Sequence, residues 1–142
     1  MKQLPKTTNP LVVRTDFEDQ KAWNAICEIL RAPVPDPNGP FRAHVDLLED
    51  TEYRDFTKEE LLAAVPELYG HSFLMVVDKT AVSNPEFPIL AVDLAETRGR
   101  SFRALPSQIQ GIENNLSIAN MGFEEFADAV DADGIVRGFP KT

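Results

Sequence analysis

Three aspartates stand where apolar runs end: Asp16 shortly after Leu11-Val12-Val13, Asp78 after Phe73 to Val77, and Asp93 after Ile89 to Val92. Carboxylates at strand ends are the raw material of a cation site, because hard oxygen ligands suit Mg²⁺ or Mn²⁺ beside a phosphate. If the three strands are parallel neighbours, their carboxyl ends gather these side chains in one crevice, where α/β folds bind ligands. The competing expectation is local. Asp16 then caps a helix start, while Asp78 and Asp93 close turns, their oxygens accepting backbone N–H groups. The local reading is the simpler one and needs no cofactor; a divalent cation enters only if the carboxylates converge.

A second pair is His44 and Asp46. They alternate with Phe41, Ala43, Val45 and Leu47, so they share a strand face and could act as a general acid/base pair. The same alternation describes any solvated sheet face. His71 precedes an apolar run and reads as a turn residue bonding backbone near Tyr69-Gly70. Neither histidine has metal-ligand spacing with another His or Cys, so no metal site is expected from them. Asp131-Ala132-Asp133-Gly134 hints at a calcium loop. Aligning Gly134 with that loop's glycine, however, puts Ala129 at the first ligand and Pro140 where a bidentate Glu belongs. No nucleophile elbow, phosphate-binding Gly-rich loop or Cys-x-x-Cys pair is present.

The segment Glu113-Asn114-Asn115-Leu116-Ser117-Ile118-Ala119-Asn120-Met121 is unusual for a helix, because Asn and Ser side chains compete for backbone bonds. Two readings stand side by side. The amides fix a ligand or partner, or they bond internally and lock the segment onto the sheet. Under the first, Glu113, Asn114, Asn115 and Asn120, with Glu124 and Glu125 downstream, are the candidate partner-binding residues.

The elements that must position these groups follow from periodicity. Leu11-Val12-Val13 begins a short strand ending at Arg14-Thr15-Asp16, where Thr15 and Asp16 are alternative caps for a helix starting near residue 17. Ala22, Trp23, Ile26, Cys27 and Leu30 share one of its faces, and Pro33 stops it. The alternation over 41–47 predicts a half-exposed strand, and Thr57 with Glu60 a capping box. Phe73–Val77, apolar at every position, belongs at the centre of a sheet. Thr97-Arg98-Gly99-Arg100 reads as a turn pairing Ile89–Leu94 with Phe102–Leu105. Ile109, Ile112, Leu116 and Ala119 keep helical spacing toward a C-cap at Gly122, and Phe123, Phe126 and Val130 make a last short helix.

The order is β-α-β-α-β-β-β-α-α. It describes a single α/β or α+β domain spanning residues 1–142, with a mixed sheet of about four to five strands and helices mainly on one face. Its core runs from about 11 to 139, and residues 1–9 read as a flexible N-terminal segment.

Composition narrows the function classes. Against 14 Lys and Arg stand 23 Asp and Glu, a net charge of −9, which repels phosphate backbones and anionic lipid. Nucleic acid and membrane are therefore not expected partners. Residues 1–10 lack the apolar core of a signal peptide, and no apolar run approaches the ~20 residues of a membrane span. The lone Cys27 excludes an intramolecular disulfide and suits a reducing compartment, so the expected location is cytoplasmic. Between Arg103 and Arg137 there is no Lys or Arg, while Glu113, Glu124, Glu125, Asp128, Asp131 and Asp133 all fall there. That acidic quarter suits a basic protein partner; oligomeric state is left open.

Two resemblances bear on this. Leu74 to Thr80 resembles the strand-Asp-Lys-Thr segment of haloacid-dehalogenase-type phosphotransferases, but Ala81 replaces the family's Gly and no downstream acidic pair follows. More extensively, Leu-Val-Val-Arg-Thr-Asp-Phe at 11–17 with Trp23, His71 to Asp78, Phe102-Arg103, Ile112 to Met121 and Glu124 to Ala127 resemble a family of small acidic, mostly bacterial proteins. That family is classed as a domain of unknown function, and the likeness runs from about Leu11 to Phe139. It implies a free-standing domain and supplies no catalytic residues. The expectation is a non-catalytic protein-binding domain, immunity- or antitoxin-like or regulatory. The alternative is a small enzyme built on the strand-end aspartates or on His44 and Asp46.

Overall fold

A computed structural model describes residues 2–33 and 42–138. Six strands and five α-helices follow one another as β1 (Leu11–Arg14), α1 (Gln20–Arg31), β2 (Asp46–Leu48), α2 (Lys58–Ala64), β3 (Phe73–Val77), α3 (Lys79–Ser83), β4 (Ile89–Asp93), β5 (Ser101–Ala104), α4 (Ile109–Ser117), α5 (Phe123–Ala127) and β6 (Ile135–Val136). The strands form one mixed sheet in the order β2-β1-β3-β4-β5-β6. β1 is parallel to β2 and to β3, β4 is antiparallel to both its neighbours, and β6 is parallel to β5. β4 alone therefore runs against the other five.

Alternation along the strands sorts side chains onto two faces. Val12, Phe73, Met75, Val77, Ala91 and Phe102 meet α1, α3, α4 and α5 in one apolar cluster. Leu11, Val13, Leu74, Val76 and Val92 pack on the other side with Leu61 and Ala64 of α2, Tyr53 and Leu4. With both faces covered, all five residues of β3 are buried, as its uninterrupted apolar run requires. Helices do lie mainly on one face, four of the five. Burial pushes the Cys27 thiol up, which disfavours the thiolate. Among the described residues no helix is long and apolar enough to cross a membrane.

Several expectations hold in detail. The Thr57–Glu60 capping box is formed in both directions, at 3.0 and 3.1 Å, and β4 and β5 make the expected antiparallel pair. Others need correction. α1 starts later than residue 17, because Asp19, not Thr15 or Asp16, caps it by accepting the Ala22 N–H at 2.9 Å. Thr15 still continues the ladder of β1, donating to the Val77 carbonyl. β2 covers only 46–48, since its partner β1 is preceded by Pro10, which accepts from the Asp46 N–H but cannot donate back. Phe41 of the expected strand lies outside the described residues.

α4 ends at Ser117, and Ala119 takes the left-handed conformation at φ 57°. Gly122 is thus not its C-cap; its N–H instead opens α5 by donating to the Glu125 carboxylate at 2.8 Å. α3 and β6 are additional to the expected order. The N-terminal segment is packed down rather than loose. Leu4 is buried, its N–H donates to Ala64, and Tyr53 Oη donates to the Gln3 carbonyl at 2.6 Å.

Candidate functional site

The parallel strands β2, β1 and β3 end on one edge of the sheet. α1 leaves β1 on one face and α2 precedes β3 on the other, so the gap between β1 and β3 is a topological switch point, the usual ligand position in such sheets. Asp16 and Asp78 both follow strands that end at this edge. Asp93 does not: it ends the reversed strand β4 and sits at the opposite edge. The three carboxylates that a parallel arrangement would have gathered in one crevice are therefore divided between the two edges.

Each also has local work. Asp16 accepts the Glu18 N–H at 3.1 Å. Asp78 caps α3 through the Ala81 N–H and takes both terminal nitrogens of Arg103, at 2.9 and 2.7 Å. Asp93 accepts the N–H groups of Ala95 and Thr97, at 3.0 and 2.8 Å, and the Thr97 hydroxyl. Among the described residues no three His, Cys, Asp or Glu side chains group closely enough to hold a metal ion.

Sequence reasoning missed Arg14, the residue that dominates the switch-point edge. Its side chain points to the α1 face and is 1% exposed. Nε donates to the Asp16 carbonyl at 2.8 Å, and Nη1 donates to Gln20 at 3.0 Å and Glu49 at 2.6 Å. The guanidinium carbon lies 4.5 Å from the Phe17 ring centroid and 5.2 Å from that of Trp23. Nη2 is buried and has no hydrogen-bond partner among the described residues. Arg14 thus ties the ends of β1 and β2 to the start of α1. The only signal in the sequence was a lone cation closing an apolar strand. Arg103 does similar work next door, since it also donates to the Pro88 carbonyl at 3.0 Å. That bond anchors the loop in which Phe87 holds the left-handed conformation, at φ 52°.

The His44–Asp46 pair is not assembled. The Asp46 carboxylate accepts the backbone and side-chain N–H groups of Asn9, at 3.0 and 3.3 Å, and no hydrogen bond joins it to the exposed His44. The His44 backbone N–H instead donates to Glu113 Oε1 at 2.8 Å. Nor does His71 bond within the Tyr69-Gly70 turn; its Nε2 meets the Thr7 carbonyl at 2.9 Å and so holds the N-terminal segment.

The Asn-rich segment follows its internal reading at Glu113, Asn115, Ser117 and Asn120. Glu113 is 4% exposed and also accepts the Ser117 hydroxyl, so it clamps the chain before β2 to α4. Asn115 donates to the Gly111 carbonyl at 2.8 Å and accepts from Asn120 at 2.7 Å, and its own carbonyl receives the Asn120 and Met121 N–H groups. These bonds close the chain after the left-handed Ala119. Asn114 and Asn120 keep exposed surface. The acidic quarter is also partly consumed. Asp128 pairs with Arg100, while Asp131, Asp133 and Glu86 surround Arg137. Hydrogen bonds from Arg137 hold the Glu86 and Asp133 carboxyls below their usual range.

Three candidates from the sequence do converge, at the edge opposite Arg14. A cleft of about 310 Å³ is lined by Asp93, Asn120 and Glu124, with Glu96 at its side and Leu116 and Phe123 among its apolar walls. Among the described residues no Lys, Arg or His lines it. Ile118, between Leu116 and the lining residue Ala119, is 65% exposed.

The family model described as domain of unknown function (DUF6924) matches residues 9–139. The chain belongs to this family. No curated protein matches the sequence. The DUF6924 match begins just before β1 and runs past β6, so it takes in the whole sheet, Arg14 at one edge and the acidic cleft at the other. It agrees with the resemblance drawn from Leu11 to Phe139, and its description carries no activity.

Proposed function

We propose that this chain is a non-catalytic, cytoplasmic protein-binding domain, regulatory or immunity-like in role. Its contact surface is the edge formed by residues 114–125, and its partner presents a basic surface. The observation that carries the reading is Ile118, a large apolar side chain 65% exposed at the end of α4. Around it stand Asn114, Asn120, Glu124 and Glu125, all exposed. An apolar anchor ringed by polar groups is the usual anatomy of a binding hot spot. The acid/base and metal alternatives draw no such support. Asp16, Asp78 and Asp93 each serve a turn or a helix start, and His44 stands apart from Asp46.

The test compares immobilised wild-type chain with Ile118→Asp in extracts of the source cell. A basic protein retained by the wild type and lost by the variant is the expected result, with an association rate that falls as salt rises. Equal retention by both would remove this surface from the reading.

A further inference from the structure

Resting on the binding-domain reading, we propose that the cleft beside Ile118 receives one lysine or arginine side chain of the partner protein. Size is the first argument. At about 310 Å³ the cleft is at the small end of ligand pockets, which suits one long side chain better than a cofactor. Its surfaces are the second. Leu116 and Phe123 offer apolar wall for an aliphatic stem, while Glu96 and Glu124 are exposed and form no salt bridge among the described residues. Lysine and arginine have that division, a stem that packs and a head that stays polar. Asn120 adds an acceptor, because its Nδ2 is spent on Asn115 and its Oδ1 is left over.

The third argument is the charge behind the wall. Asp93 is 3% exposed, and its three hydrogen-bond donors, the Ala95 and Thr97 N–H groups and the Thr97 hydroxyl, are all neutral. Its hydrogen bonds are satisfied, but no cation pairs with it among the described residues. A carboxylate in that position projects negative potential into the cleft, where it is screened less than at an open surface. Two carboxylates at the switch-point edge differ: Asp78 and Glu49 each have an arginine of this chain. Gly122 contributes by its lack of a side chain. A Cβ there would fall 2.7 Å from the Glu124 carboxyl carbon, so the glycine leaves Glu124 room to sit where it does.

The experiment titrates the full chain with acetylated Gly-Arg-Gly amide, using Gly-norleucine-Gly amide as the neutral control, and follows the methyl and ring signals of Leu116, Met121 and Phe123 by NMR. Saturable shifts with the arginine peptide, at least fivefold weaker with norleucine and with Glu96→Gln/Glu124→Gln, are expected. Gly122→Ala should weaken binding in the same direction by displacing Glu124. Equal response to both peptides would overturn the proposal by showing that charge is not read. So would no response to arginine at the highest concentration reached. In either case, partner loss on Ile118→Asp still stands or falls separately and reports on the binding-domain reading alone.

Discussion

The two edges of this sheet differ in how the carboxylates at the strand ends and in the cleft are partnered. At the carboxyl ends of the parallel strands, where an α/β fold ordinarily binds its ligand, two carboxylates are matched by the chain's own arginines, while Asp16 accepts the Glu18 N–H. Arg14 takes Glu49, Arg103 takes Asp78, and both guanidiniums also hold backbone. At the other edge Asp93, Glu96 and Glu124 line a cleft that contains no cation, and Ile118 stands out beside it. The switch point remains a sound guide to where chain ends diverge. It does not guarantee vacant chemistry there, because the same divergence can be closed by the chain's own arginines.

The largest test of that contrast removes the internal cation. Arg14→Ala is expected to destabilise by about 3 kcal/mol, through a cavity beside Phe17 and Trp23 and three lost hydrogen bonds. Little of this is ionic, because the Glu49 side chain is half exposed and its pairing is screened. Denaturant titration measures it. If Arg14→Ala is as stable as wild type, the claim that this edge is structural fails.

Arg103→Leu should cost less, roughly 1–2 kcal/mol, since Asp78 keeps the Ala81 N–H and partial solvent. Ile118→Asp is expected to leave the denaturation midpoint within about 0.5 kcal/mol of wild type, as an exposed position should, while abolishing partner retention. A large stability loss there would make Ile118 a core residue and erase the contrast.

The smallest effect is in pH. The folded-state pKa values of Glu86 and Asp133 are depressed by Arg137, so their stabilisation is present above the unfolded carboxylate range and is lost as pH falls through the depressed values. Arg137→Gln should flatten that acid limb of the stability curve, read from thermal midpoints across the acid range.

How much of this could be read in the residues depends on range. β3 announced itself because both faces of a central strand are covered, and the Thr57–Glu60 box because its bonds span three residues. α3 and β6 have five and two residues, too few to show any period. Asp93 closes its turn as the local reading has it, and the crevice alternative fails on direction. A strand's composition does not say which way it runs, and α3 is short enough that the chain turns back into an antiparallel β4 rather than crossing over to a parallel strand. Glu113, a partner-binding candidate under one of the two readings, is internal, and the sequence could not decide this because its partner, the His44 N–H, lies 69 residues away. Asn115 was read correctly as one of two options, since its bonds to Gly111 and Asn120 are local. The exposed cleft needed three distant segments to meet, and no periodicity reports that.

Arg137 has a consequence for how the sheet comes apart. β6 is two residues long and gives β5 few ladder bonds, the Arg103 and Leu105 N–H groups donating to Gly134 and Val136. A strand that short should fray on its own. Detaching it here also means separating Arg137 from Glu86, in the loop before β4. The far edge of the sheet therefore opens as one cooperative unit instead of peeling residue by residue, and the Arg103 and Leu105 amides should exchange with solvent at a common rate that quickens with salt.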